Sequence, residues 1–451
     1  MKPMRPRIAR YTVRWLRTAF LLVAIVFASR ICPAYSVLTH EEVVDLLWQD
    51  QIQPLLKKRF PSATDEDLRK AHAYAYGGCV IQDMGYYPFG SKYFSDLVHY
   101  VRSGDFIIAL IQESSDLNEY AFALGALSHY AADTMGHPTI NRVVTIEFPK
   151  LGKKYGAEAT YADDPKAHIR TEFGFDMVQV AKNRYTSDRY HDFIGFEVSK
   201  DLLGRAILDT YGLKIEDVFG DLDLAIGTYR RGVSVVVPEM TRVALLARRQ
   251  EIVKDTPNFN KKKFLFYLSR KNYEKEWGTT YRKPGAGTRI LAFFLRLMPK
   301  VGPFSALAFK IPTQQTEDMY IKSVDLTVED YGKLLRETRA QDLQLPNRDF
   351  DTGRDTHPGE YQLTDKTYEK LLNQLTDKKF EHLTPQLQEN ILEFYADLKA
   401  PIWTKHNKKA WTQTLANVER LRAATPSMTP EPVKTTQSEA QRPAESIHEL
   451  Q

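Results

Sequence analysis

Between residues 41 and 57 (EEVVDLLWQDQIQPLLK) the apolar positions Val43, Val44, Leu46, Leu47 and Trp48 gather on one side of a helical period. This predicts a helix with Thr39 at its N-cap, kinked or ended by Pro54. Residues 62–77 (SATDEDLRKAHAYAYG) open with acids, which suit the positive end of a helix dipole, and close on glycine. Residues 82–94 read as a turn rich in Gly, Pro and aromatics. Residues 118–137 (NEYAFALGALSHYAADTMGH) predict one helix of small residues stopped by Pro138, and residues 166–182 predict another. Downstream, residues 238–249, 324–339, 368–376 and 385–399 carry the same periodicity, while strand-like alternation is sparse. The predicted fold class is therefore all-α.

The pattern also divides the chain. Residues 342–362 (DLQLPNRDFDTGRDTHPGEYQ) are polar and turn-rich, a linker or long loop, so residues 37–340 read as one helical domain and 341–424 as linker plus C-terminal helical segment. Residues 425–451 lack aromatics and are built from Pro, Ser, Thr, Gln and Glu, which predicts a disordered tail. No internal repeat is present.

Composition changes this picture mainly at the N-terminus. The chain has 451 residues, 43% of them hydrophobic, enough for a substantial core. Residues 1–36 carry seven cations, no acid and an apolar run at 19–28. That run is about half of the ~20 residues a bilayer-spanning helix needs, so a cleaved signal peptide and an exported, periplasmic or secreted protein are expected, with a retained membrane anchor as the alternative. Small residues precede two candidate cuts, before Val37 and before Tyr35. Losing seven cations takes the formal charge from +5 to −2, so a basic nucleic-acid-binding surface is not indicated. Of the two cysteines, Cys32 leaves with the signal, and Cys79 then has no disulfide partner within the chain.

Candidate chemistry centres on His129, Asp133 and His137 in LSHYAADTMGHP. Steps of four residues turn a helix by only about 40° from one side chain to the next, so the three share one face. Gly125 and Ala121 extend that face with room for a neighbouring helix. Imidazole, carboxylate and imidazole together suit a borderline divalent ion such as zinc. A polar exposed face or hydrogen-bonded core histidines would leave the same pattern. His168 and Glu172 stand one helical turn apart, Asp83 follows two glycines before a turn, His99 comes soon after, and His40 lies just inside the expected mature start. His72 reads as an ordinary helix residue, and His191, His357, His382, His406 and His448 as surface residues.

Taken in order, these residues resemble the zinc-dependent phospholipases C, a family that shares an all-helical bundle and a trinuclear zinc cleft with the zinc single-strand nucleases. The resemblance spans residues 37–172 or slightly more. It implies a first zinc held by Asp83, His99, His129 and Asp133, and a second by His137, His168 and Glu172. A third would be held by His40, the bridging Asp133 and the freed amino terminus. Two departures stand out: no tryptophan lies between the signal and His40, where the secreted bacterial enzymes begin with one, and the four-residue step from Asp133 to His137 is more like the glycosylphosphatidylinositol-specific phospholipases D.

The resemblance implies hydrolysis of a phosphodiester, foremost in phospholipid headgroups, by a zinc-activated water with two to three ions per chain. Asp83 is implied to orient or deprotonate that water. Tyr86, Tyr87 and Phe89 are candidates for a headgroup pocket, since aromatic faces attract quaternary ammonium, although turn packing explains the same cluster. Residues 289–311, basic and apolar, suit either peripheral contact with a membrane surface or core packing. Phospholipase D-type cleavage, a zinc nuclease, a non-catalytic zinc-binding protein and a metal-independent scaffold are the alternatives.

Overall fold

The structure, a computed structural model, describes residues 36–181, 196–233 and 309–426. The expected signal peptide, the helix at 238–249, most of the 289–311 stretch and nearly all of the C-terminal tail lie outside these residues. Among the described residues no helix is long and apolar enough to cross a membrane.

Helices dominate. The first, α1 (Val37–Leu47), passes through a π-helical turn at Trp48–Ile52 into α2 (Gln53–Arg59), with Pro54 in the first turn of α2. The α-helix expected to be kinked or ended by Pro54 thus gives way to the π-helical turn at Trp48, ahead of Pro54, and Pro54 opens the next helix. Val43, Val44, Leu47 and Trp48 are buried, whereas Leu46, at the edge of the predicted arc, is 50% exposed. Thr39 is not the N-cap: Ser36 holds that position, and the Thr39 side chain donates instead to Asp176 at 2.7 Å.

Next comes α3 (Asp65–Cys79), capped by Thr64, whose hydroxyl accepts from the Asp67 N–H while the Asp67 carboxylate accepts from the Thr64 N–H. A 3₁₀ turn at Ile81–Tyr86 leads to α4 (Lys92–Tyr100) and α5 (Ser103–Glu113). The central element is α6 (Leu117–Glu147), capped by Asp116, which accepts from the N–H groups of Asn118 and Glu119. It runs between α3 and α12 (Gln314–Ala340). Contact with α3 is backbone to backbone: a Cβ added at Gly125 would lie 2.0 Å from the Ala75 carbonyl oxygen. The small-residue stripe of the sequence therefore does admit a second helix.

Pro138 sits inside α6 and does not stop it. A proline inside a helix costs about 3 kcal/mol. Beyond it, Ile140, Val143 and Val144 are buried against Phe175 and Tyr320, and burying each such side chain contributes about 1.5–3 kcal/mol. Three of them outweigh the break.

Around this centre lie α7 (Pro149–Tyr155), α8 (Pro165–Ala181), α9 (Lys200–Tyr211), α10 (Ile215–Val218) and α11 (Leu222–Arg231). The C-terminal segment supplies α13 (Gln362–Asp377), α14 (Pro385–Phe394) and α15 (Lys408–Ala423). The fold is all-α, apart from a two-residue antiparallel hairpin, β1 (Arg348–Asp349) with β2 (Arg354–Asp355). That hairpin falls in the polar stretch at 342–362, and its turn reaches the middle of the molecule.

Candidate metal centre

Helix α6 presents His129, Asp133 and His137 along one buried face, each at most 2% exposed. The face continues one more step of four to Asn141, because the helix survives Pro138. Three other elements bring side chains to it. Helix α1 contributes His40, the 3₁₀ turn contributes Asp83, and α4 contributes His99; all three are buried.

Asp133 is the focus. Its carboxylate lies 3.1 Å from His129 Nε2, 3.5 Å from His40 Nε2, 3.6 Å from His99 Nε2 and 4.0 Å from His137 Nε2. His99 Nε2 is also 3.5 Å from Asp83. The rings of His40 and His129 stack with centroids 4.3 Å apart. Two groups of donor atoms are close enough to share a cation: His40 with His129 and Asp133, and Asp83 with His99 and His129.

The far sides of these rings are fixed by acceptors. His129 Nδ1 is 2.8 Å from the Cys79 carbonyl oxygen, and His99 Nδ1 is 2.8 Å from the Ser95 carbonyl oxygen. A carbonyl only accepts, so each Nδ1 carries the proton and each Nε2 faces the carboxylates. An unprotonated Nε2 beside a carboxylate oxygen sets lone pair against lone pair, and only a proton or a cation between them relieves it. Among the described residues, both oxygens of Asp83 and of Asp133, and Nε2 of His129, are buried without a hydrogen-bond partner. This donor set fits a divalent metal such as zinc.

Burial disfavours the His99 cation, yet the Asp83 and Asp133 carboxylates outweigh it and push that imidazole up to about 9. Asp133 is held below the usual carboxylate range: burial opposes this, but His129, His137 and His40 prevail. Burial raises Asp83, and burial followed by its neighbour His129 lowers His40.

His168 and Glu172, both on α8, form a second arrangement. His168 Nδ1 is 2.8 Å from Glu172 Oε1, and its Nε2 is 2.8 Å from Asn141 Oδ1. Burial lowers His168 and raises Glu172, so the pair is neutral and one proton lies between Nδ1 and the carboxyl. The ring of His137 is 5.4 Å away. Among the described residues, His137, His168 and Glu172 do not close into one cation-sized group; His137 Nδ1 instead faces Asp351 at 3.4 Å.

Asp351 and Asn141 are absent from the sequence reading. Asn141 had a signal, the same four-residue spacing, hidden by ending the helix at Pro138. Asp351 had none, since nothing in a polar turn points to helix α6. The hairpin turn also inserts Phe350, whose ring lies 5.2 Å from that of His99 and 6.1 Å from that of His129.

The aromatic candidates separate. Tyr86 is buried with its ring 6.1 Å from that of His99, Tyr87 packs edge-on against Tyr229 in the core, and Phe89 is 52% exposed. His72 lies on α3, stacked on Trp48 at 3.8 Å and 3.0 Å from Asp45. His357 and His406 are exposed and His382 half-buried; His191 and His448 lie outside the described residues.

Residues 39–220 match the family model described as zinc dependent phospholipase C. That segment contains His40, Asp83, His99, His129, Asp133, His137, His168 and Glu172, but not Asp351. Neither a curated protein nor a solved structure matches the chain.

Proposed function

From the match of residues 39–220 to zinc-dependent phospholipases C, we infer that the buried cluster holds two to three zinc ions and that the protein hydrolyses a phosphodiester bond, foremost in phospholipid headgroups. The single observation that carries this reading is the convergence of four imidazole Nε2 atoms on the Asp133 carboxylate, two of them with Nδ1 tied to a backbone carbonyl.

Asp83, His99, His129 and Asp133 would hold one ion, and His137, His168 and Glu172 a second, once the proton between His168 and Glu172 is displaced. His40 and Asp133, with an amino terminus freed near residue 37 by export, would hold a third. Zinc in such a set supplies Lewis acidity, which acidifies water and offsets the charge of a phosphodiester. Three zinc ions bring +6 against −3 from Asp83, Asp133 and Glu172, so the site retains attraction for an anion. Asp83 would accept a proton from, or orient, the attacking water. Ser95 and Cys79 keep the His99 and His129 rings from rotating as charge develops. A cleft of about 460 Å³ is lined by Asn141 together with Glu158, Arg354, Tyr361 and Trp403.

The test is release of headgroup from phosphatidylcholine and phosphatidylinositol, with single-stranded DNA as a third substrate, before and after chelation and zinc restoration. Chelator-sensitive release of a phosphorylated headgroup supports the reading. Release of the unphosphorylated headgroup assigns D-type cleavage, and turnover of DNA alone moves the protein to the nucleases.

A further inference from the structure

We propose that Asp351 is a positioning residue for the metal site, acting through His137. This rests on the zinc reading above. Its Oδ1 is 3.4 Å from His137 Nδ1, so an imidazole that donates from Nδ1 presents its Nε2 lone pair toward Asp133. A carboxylate behind a metal-bound imidazole fixes the tautomer, holds the ring and makes the ligand more basic.

The carboxylate is itself held. The Tyr100 hydroxyl donates to Oδ2 at 2.8 Å, and the Tyr361 hydroxyl donates to the same oxygen. Asn141 Nδ2 donates to the Asp351 carbonyl at 2.8 Å, and the neighbouring Phe350 N–H donates to the His99 carbonyl at 3.1 Å. Asp351 is 2% exposed. The carboxylate is anchored from α4 and the start of α13, and its backbone from α6, more than the turn geometry alone requires.

Three histidines are braced by hydrogen-bond acceptors, His99 by Ser95, His129 by Cys79 and His168 by Asn141, while His137 Nδ1 faces Asp351 at 3.4 Å, beyond a formed hydrogen bond, and Asp351 is placed to become its brace. The three braces come from within residues 39–220, whereas Asp351 comes from beyond them. The hairpin turn at residues 350–353 therefore belongs to the metal site, and the N-terminal helical segment alone lacks the Asp351 carboxylate.

The experiment is competitive zinc titration of the full chain against a chelating indicator, with the visible spectrum of the cobalt-substituted protein as a second readout. Asp351→Asn should weaken one class of site by about 10–100-fold, change the cobalt spectrum and leave the remaining sites in place. Tyr361→Phe, which keeps the charge but loosens it, should shift the same site in the same direction by less. In a His137→Ala background, Asp351→Asn should add nothing. Wild-type affinity and spectrum in both Asp351→Asn and Tyr361→Phe would overturn the proposal, as would full additivity with His137→Ala. A wild-type protein that binds no zinc would instead overturn the zinc reading, and this proposal with it. Should Asp351→Asn fail to fold, Tyr361→Phe decides alone.

Discussion

Asp133 Oδ2 and His129 Nε2 lie 3.1 Å apart on successive turns of one buried helix, and His40, His99 and His137 bring three more imidazoles within 4.0 Å of the same carboxylate. Glu172 has one such neighbour, His168. Removing one partner from a buried charged group costs about 3–5 kcal/mol. Asp133→Asn should therefore lower kcat/KM by roughly 10²- to 10⁴-fold and reduce metal content at more than one site, while Glu172→Gln should cost less and empty one site only. Steady-state kinetics with elemental analysis of both variants checks this; equal losses would remove Asp133 from its bridging place.

Gly353 adopts φ +69°, and a Cβ added there would lie 2.4 Å from the Thr134 carbonyl oxygen and 2.8 Å from the Pro138 ring. Gly353→Ala meets left-handed strain of about 1–2 kcal/mol and overpacking of about 1–3 kcal/mol. Denaturant unfolding should show a loss of about 2–5 kcal/mol, accompanied by weaker zinc binding because the turn carries Asp351. Unchanged stability would mean that the hairpin turn is not seated on α6.

The all-α class and the shared face of His129, Asp133 and His137 were legible, because helical periodicity and four-residue spacing are local properties of the chain. Pro138 misled because the burial of Ile140, Val143 and Val144 that carries the helix past it depends on α8 and α12, which are distant in sequence. Asp351 was illegible for the same reason: its role comes from Tyr100, Asn141 and His137, and no short-range pattern in a polar turn encodes those neighbours.

Asp176, buried beneath the start of α1, accepts from the Leu38 N–H and the Thr39 hydroxyl. Burial pushes its carboxyl up to about 6 in spite of these bonds. A carboxyl raised on folding contributes stability that is full below its unfolded pKa, about 3.9, and is lost as pH rises through about 6. In chelator-treated protein, Asp176→Asn should remove a decline of about 3 kcal/mol between those limits, seen as a pH-dependent gap between the two unfolding curves. Parallel curves from pH 4 to 7 would contradict this.

A site completed by a freed amino terminus predicts that processing and zinc uptake are coupled. Protein beginning near residue 37 should bind one zinc more than protein extended at its N-terminus, and an unbound α-amine near ~7.7–8.0 makes that ion the first lost in mildly acidic buffer. Equal zinc content in the two forms would restrict His40 to packing against His129.

The most direct measurement combines zinc content and phospholipid headgroup release on one preparation of the processed protein, purified without a histidine tag. The account predicts roughly two to three zinc equivalents per chain, release abolished by chelation and restored by zinc. Less than about one equivalent, or headgroup release that persists after complete removal of metal, would contradict it.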